Sequence, residues 1–167
     1  MIIGLSLSAF TTLHVVLSLI GILAGIVVVL GMLGGRRLPG WTVLFLLTTI
    51  LTSVTGLLFP FSHLLPSHVV AIISLLVLAL AVLALYVLHL EGIWRWVYVV
   101  SAVIALYLNV FVGVVQAFQK IAFLQPLSPT QSEPPFLITQ FAVLAIFILV
   151  GVWAVRSFYP AQPVATP

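Results

Sequence analysis

The side chains best able to bind a metal or a cofactor in this sequence are its four histidines, His14, His63, His68 and His89. A neutral imidazole can ligate haem iron, and it also suits Zn²⁺ and Cu²⁺. The chain has no cysteine, which excludes disulfides, thiolate metal sites, iron–sulfur clusters and covalently attached haem. The residue types therefore allow a haem or a divalent metal ion to be bound through histidine.

Carboxylate chemistry is limited because the chain has only two acidic residues, Glu91 and Glu133. The expected membrane topology places them on opposite sides of a bilayer, which excludes a paired-carboxylate mechanism and a carboxylate-bridged di-metal site. The sequence also lacks a phosphate-binding loop, a His-Glu-x-x-His motif and a nucleophile elbow. These observations favour a non-catalytic protein.

The composition decides the class of protein. The chain is 64% hydrophobic and 4% charged, whereas about a quarter of the residues of a soluble domain are charged. Its apolar runs exceed the roughly 20 residues that span a bilayer, and they recur along the whole length. Because no water satisfies the backbone inside a membrane, such runs form helices. We expect an all-α integral membrane protein whose partner is the lipid bilayer, and no nucleic-acid partner.

Five membrane-spanning helices are predicted. They cover approximately residues 8–33, 41–59, 68–90, 93–118 and 136–155. Glycine, proline and arginine clusters separate them, as expected where helices stop. The spans form one bundle over residues 1–159, followed by a short Pro/Ala tail at 160–167.

The positive charges predict the orientation of the bundle. Arg36, Arg37, Arg95 and Arg156 fall on one side of the membrane, and only Lys120 falls on the other. The positive-inside rule then places the N-terminus outside and the C-terminus in the cytoplasm. All four tryptophans lie at the arginine side, where an aromatic belt is expected. The general character of the chain favours a bacterial inner membrane.

The polar side chains inside the spans collect in the outer half of the membrane, opposite the arginines. A rise of about 1.5 Å per residue gives these depths. An amide that faces lipid without a partner costs several kcal/mol, so these side chains should point into the bundle. Helix packing through hydrogen bonds accounts for such a layer, and so does a site for a small lipid-like ligand. The residues predicted for that ligand site are His14, Asn109, Gln116 and Gln140.

Two histidines meet the depth condition for a b-type haem. His14 and His68 lie at matching depths on different helices, as bis-histidine ligation requires. A quinone needs only an apolar slot with one or two hydrogen-bonding side chains, and it is the alternative cofactor. His14, His63 and His68 together are the predicted ligands of a divalent metal ion. His89 lies about 30 Å away by helix rise and cannot share a haem with them.

Two surfaces are predicted to contact another membrane protein or a second copy of the chain. Gly21 and Gly25 lie on the same face of the first span as His14, and this small-residue spacing is typical of close helix packing. The proline-containing linker at 119–135 lies on the outer surface, where it can cover the polar layer or dock a partner.

The leading functional prediction is a non-catalytic inner-membrane protein, either an accessory subunit or a binder of a small lipid-like ligand through the outer polar layer. The alternative is an electron-transfer protein that binds haem b or interacts with a quinone through His14 and His68. A small transporter is the third reading. The absence of proline inside the spans counts against it, because transporter sites are typically formed by broken helices.

Overall fold

The computed structural model describes residues 4–59 and 66–159, and this part of the chain is an all-helical bundle. Five of its helices are long and apolar enough to cross a membrane, which confirms the predicted all-α fold with five such helices and is compatible with a polytopic membrane protein. They are α1 Leu7–Leu33, α2 Pro39–Leu57, α3 Pro66–Val82 together with the π-helical turn Leu83–Val87 that continues it, α4 Trp94–Lys120 and α5 Pro134–Ser157. His63, which lies between the second and third predicted spans, and the predicted tail at 160–167 are outside the described residues.

Three helices begin earlier than predicted, each at a proline. α2 starts at Pro39 rather than at residue 41, α3 at Pro66 rather than at residue 68, and α5 at Pro134 rather than at residue 136. The first N–H groups of a helix have no intrahelical partner, so a proline loses nothing there, and its fixed φ suits the helix. At α1, the Ser6 side chain accepts a hydrogen bond from the backbone N–H of Ala9 at 3.2 Å and caps the helix.

The end of the third span also differs from the prediction. A π-helical turn, Leu83–Val87, follows α3, and the chain then reverses over residues 88–93. His89, Leu90 and Gly92 adopt positive φ angles of 49°, 63° and 53°, which end the helix before the predicted boundary at Leu90. The Leu90 side chain is buried in the core, and this apolar burial offsets the unfavourable conformation of its backbone. His89 is exposed in the reversal.

The four helices α1 to α4 form the body of the bundle, and α5 lies at its edge. The main packing pairs are α1 with α2, α3 with α4, α2 with α3 and α1 with α4, while α5 packs chiefly on α4. Only 11% of the α5 span is buried, against 33% to 44% of the other spans. The side chains of α5 are therefore mostly available to lipid.

The glycine face of α1 packs inside the chain. Gly21 and Gly25 are both buried, and a Cβ atom at Gly25 would lie 2.7 Å from Leu106 Cδ1 and 2.8 Å from Phe45 Cε2. The two glycines thus allow α1 to approach α2 and α4 closely, as the small-residue spacing predicts. In the described part of the chain, this face is covered by helices of the same molecule.

The C-terminal end of α5 is held by an arginine of α4. Nη1 of Arg95 donates hydrogen bonds to the carbonyl oxygens of Val155 at 3.0 Å and Phe158 at 2.6 Å. The guanidinium carbon also lies 3.9 Å from the centre of the Tyr159 ring. The last carbonyls of a helix have no intrahelical donor and carry partial negative charge, so a cation that binds them stabilises the helix end.

We expect replacement of Arg95 by glutamine to destabilise the bundle. The substitution removes a charged donor from two helix-terminal carbonyls, and a hydrogen bond to a charged group contributes about 1.5–3 kcal/mol. Reversible unfolding in mixed micelles measures this loss. Arg36→Gln is the matched control, because Arg36 is an exposed arginine at the same end of the bundle. Equal stabilities of the two variants would contradict the role assigned to Arg95.

Candidate functional site

Polar side chains of α1, α2 and α4 meet along one line in the part of the bundle opposite the arginines. We call this group the polar seam; its members are His14, Ser18, Thr48, Thr49, Thr55 and Asn109. A separate hydrogen bond, from Ser53 Oγ to Ser74 Oγ at 3.2 Å, joins α2 to α3 at a similar level. The predicted layer of polar groups is thus present between the helices.

His14 is paired with a threonine of α2. Its Nδ1 lies 2.8 Å from Thr55 Oγ1, and Thr55 Oγ1 lies 2.7 Å from the Leu51 carbonyl oxygen. At that distance the Thr55 hydroxyl donates its one proton to the Leu51 carbonyl oxygen. The hydroxyl oxygen then accepts a hydrogen bond from the Nδ1–H group of His14. In the neutral ring Nε2 then carries the lone pair, and it has no hydrogen-bond partner among the described residues. The Phe59 ring lies edge-on, with its centre 5.3 Å from that of the imidazole.

Asn109 is paired with α1. Ser18 Oγ donates to Asn109 Oδ1 at 2.9 Å, and Asn109 Nδ2 lies 3.4 Å from the Ser18 carbonyl oxygen. A Cβ atom at Gly21 would lie 3.0 Å from both Asn109 Nδ2 and Thr49 Oγ1, so a larger residue would separate these groups. Thr49 Oγ1 is buried and has no hydrogen-bond partner among the described residues. The seam is therefore closely packed, and most of its polar groups bond to one another or to the backbone.

The two predicted glutamines lie apart from the seam. Gln116 is exposed and does not join the seam. Gln140 is buried between α5 and α4, where its Nε2 donates to the Phe111 carbonyl oxygen at 3.2 Å. Its Oε1 is buried and has no partner among the described residues. The four residues predicted for a ligand are thus distributed over the seam, the α4–α5 contact and the surface.

Of the other two histidines predicted to bind a metal ion or haem, the structure describes His68 and not His63. His68 is buried in the first turn of α3, at the end of the bundle where haem ligation was predicted. His63 lies outside the described residues. Within residues 4–59 and 66–159, no three histidine, aspartate or glutamate side chains form a group suited to a metal ion. Ligation by His14, His63 and His68 remains a prediction.

The linker between α4 and α5 is organised by Glu133. Its carboxylate accepts hydrogen bonds from Ser128 Oγ at 2.6 Å, Thr130 Oγ1 at 2.8 Å and the backbone N–H groups of Thr130 and Ser132, both at 3.1 Å. These donors, the Ser128 hydroxyl foremost, lower the pKa of Glu133 to about 2. Gln131 Nε2 lies 3.4 Å from the Val115 carbonyl oxygen of α4. The linker is therefore folded onto the helices that it connects.

A groove between α4 and α5 was not identified from the sequence. Its volume is about 470 Å³, within the range of about 300–1,000 Å³ that is usual for ligand sites. Aliphatic and aromatic side chains line most of it, and Gly151 of α5 forms part of the wall where a Cβ atom would lie 3.4 Å from Val103 Cγ1. That glycine within an apolar span was the only signal of the groove in the sequence.

The two ends of the groove differ in chemistry. Trp96, Arg156 and Tyr159 line the end at the arginine side, whereas Tyr107 and Leu144 line the end near the middle of the helices. From Trp96 to Tyr107 the helix rise gives a length of about 16 Å, roughly half the hydrocarbon thickness of a bilayer, which is about 30 Å. The groove is an apolar slot of the depth of one leaflet, with a cation and aromatic rings at its arginine end.

Comparison of the chain with protein-family models, curated proteins and solved structures found no significant match.

We expect Thr55→Val to weaken the packing of α1 on α2. The variant removes the acceptor of the His14 Nδ1–H group while keeping the side-chain volume, and interhelical hydrogen bonds in membrane proteins contribute about 0.6 to 1.7 kcal/mol. Thr52→Val is the control, because the Thr52 hydroxyl bonds only to the Thr48 carbonyl of its own helix. Unfolding in mixed micelles should separate the two variants, and an equal loss would show that the His14 pair contributes nothing.

Proposed function

We propose that this chain is a non-catalytic membrane protein that binds an elongated, lipid-like molecule in the groove between α4 and α5. The observation that carries the proposal is the groove itself, a slot of about 470 Å³ with a mostly apolar wall. We further propose that the bundle lies in a bacterial inner membrane with its arginine end toward the cytoplasm, as the charge distribution favours.

The size and lining of the groove support an acyl chain as the bound part of the ligand. Burial of apolar surface stabilises a complex by about 25 cal/mol per Å², although lipid contact outside the groove already supplies part of this gain. A recess between two helices surrounds a chain on more sides than a flat helix surface does, so it gains more dispersion contacts. Gly151 widens this recess because it places no side chain between α4 and α5.

The polar seam supports the groove as the ligand site, because the hydrogen-bonding groups of the seam are mostly bonded already. The seam was the first candidate for a ligand site, yet His14 bonds to Thr55 and Asn109 bonds to Ser18. A ligand that entered there would have to replace these bonds, and a buried polar group left without a partner costs about 1–3 kcal/mol. The α4–α5 groove requires no such exchange.

We expect Val100→Phe to reduce lipid binding. Val100 lines the groove, and a phenyl ring there occupies space that an acyl chain would use; a steric change of this size in an apolar pocket is worth about tenfold or more in affinity. Titration of the detergent-solubilised protein with phosphatidylcholine, followed by native mass spectrometry, counts the retained lipids.

Val16→Phe is the matched control for this measurement. Val16 on α1 is 46% exposed and Val100 is 45% exposed, and only Val100 lines the groove. Equal lipid retention by the two variants would refute the proposed function.

A haem-binding electron-transfer protein is the second candidate. The observation that favours it is the pairing of His14 Nδ1 with Thr55, because a metal-ligating histidine commonly donates its other N–H to an acceptor that fixes the ring. His68, the second predicted axial ligand, is buried in the first turn of α3.

The haem candidate predicts a Soret band in protein expressed with ample haem, with a shift on reduction by dithionite. His14→Ala should abolish the band, since it removes an axial ligand. His89→Ala should keep it, because His89 is exposed in the turn before α4. A featureless visible spectrum of the unmodified protein would eliminate this candidate.

A further inference from the structure

The arginine end of the groove points to the headgroup that accompanies the bound acyl chain. Resting on the proposed function, we propose that the ligand is an anionic glycerophospholipid of the leaflet on the arginine side, with its acyl chain in the groove and its phosphate at Arg156. The proposal adds the chemical class of the ligand and the residue that selects it.

The first support is the position of Arg156. It lines the groove at the end where Trp96 and Tyr159 also lie, and its side chain is exposed. Tryptophan and tyrosine prefer the headgroup level of a bilayer, so these residues mark the depth at which a phosphate would sit. The guanidinium group suits that partner because it can donate two parallel hydrogen bonds to a phosphate.

The second support is that no residue within 4–59 and 66–159 neutralises the charge of Arg156. Among the described residues, Arg156 forms no ion pair or hydrogen bond through its side chain. Of the two carboxylates, Glu133 is at the opposite end of α5, where Ser128 and Thr130 bind it, and Glu91, in the reversal before α4, forms no ion pair with a described residue. An external anion is therefore the partner that Arg156 can take.

The third support is a second cation, Arg95, which lies close to the rings of Trp96 and Tyr159. The Arg95 guanidinium carbon lies 3.9 Å from the centre of the Tyr159 ring and 5.7 Å from that of the Trp96 ring. Arg95 uses Nη1 for the carbonyl groups at the end of α5. Its positive charge adds to the potential at the groove end, which favours an anionic headgroup over a zwitterionic one.

The length of the groove selects a lipid of one leaflet. The slot extends about 16 Å along α4 from Trp96, and it ends near Tyr107 and Leu144 in the middle of the bundle. A second membrane-spanning helix would need about 30 Å of continuous apolar surface. An acyl chain that starts at headgroup level and ends at the bilayer midplane matches the observed slot.

The test is a competition between phosphatidylglycerol and phosphatidylcholine with identical acyl chains, added in equal amounts to the detergent-solubilised full-length protein. Native mass spectrometry gives the ratio of the two retained lipids. We expect the unmodified protein to prefer phosphatidylglycerol and Arg156→Gln to lower that preference about fivefold, the effect of one arginine at a membrane surface. Arg156→Lys should keep most of the preference, because it retains the charge.

Arg36→Gln is the control for non-specific attraction by the arginine end, since Arg36 is exposed there and does not line the groove. Its preference should equal that of the unmodified protein. The inference is overturned if Arg156→Gln keeps the full preference, or if Arg36→Gln loses as much. If Val100→Phe still lowers the retention of both lipids in that case, the proposed function stands and only the headgroup assignment fails. If Val100→Phe retains both lipids, the proposed function itself fails.

Discussion

The structure depends on one constraint: a polar side chain within a membrane-spanning helix must find its hydrogen-bond partner inside the protein. The hydrocarbon core has no water to supply one, and an unpaired polar group there costs several kcal/mol. His14 bonds to Thr55, and Ser18 bonds to Asn109. Because these pairs join α1 to α2 and α4, they fix the depth and the rotation of three helices relative to one another.

The position of α5 is set by hydrogen bonds of the same kind, one toward each end of the helix. Gln140 bonds to the Phe111 carbonyl toward one end of the helix, and Arg95 binds the carbonyls at the other end. Between these points, α5 contacts α4 at Gly151, where a Cβ atom would lie 3.4 Å from Val103 Cγ1, and through the rings of Phe147 and Tyr107, whose centres are 5.6 Å apart. A helix held at its two ends and packed through a glycine leaves space beside the contact, and this space is the groove.

The sequence predicts the number and the approximate limits of the spans because hydropathy depends only on composition and length. It also predicts that His14 and Asn109 point inward, since the cost of exposing them to lipid decides their direction. The partners of these residues are not predictable from the pattern. Thr55 is the acceptor for His14 because of the relative shift of two helices along their axes, which depends on packing.

Two errors of detail have the same origin. Gln116 is seven residues after Asn109, so helical spacing places the two side chains on one face of α4, yet Gln116 is exposed because the neighbouring helices do not cover that face over its whole length. The helix starts at Pro39 and Pro134 were assigned to turns, since proline was read as a boundary rather than as the first helical residue. In each case the sequence pattern indicates the face on which a side chain lies or the place where a helix is interrupted. The tertiary structure decides whether that face is covered and at which residue the helix starts.

The groove and the polar seam differ in what they offer to a ligand. The polar seam attracts attention in the sequence, but its groups are mostly paired with one another, so a ligand gains little there. The groove has few polar groups, yet it combines apolar volume with Arg156, a cation that has no partner among the described residues. A lipid brings an apolar chain and an anion on one molecule, separated by the distance between headgroup and midplane. The groove presents the complementary surfaces at the same separation, and this match, rather than any sequence motif, is the basis for assigning a lipid to it.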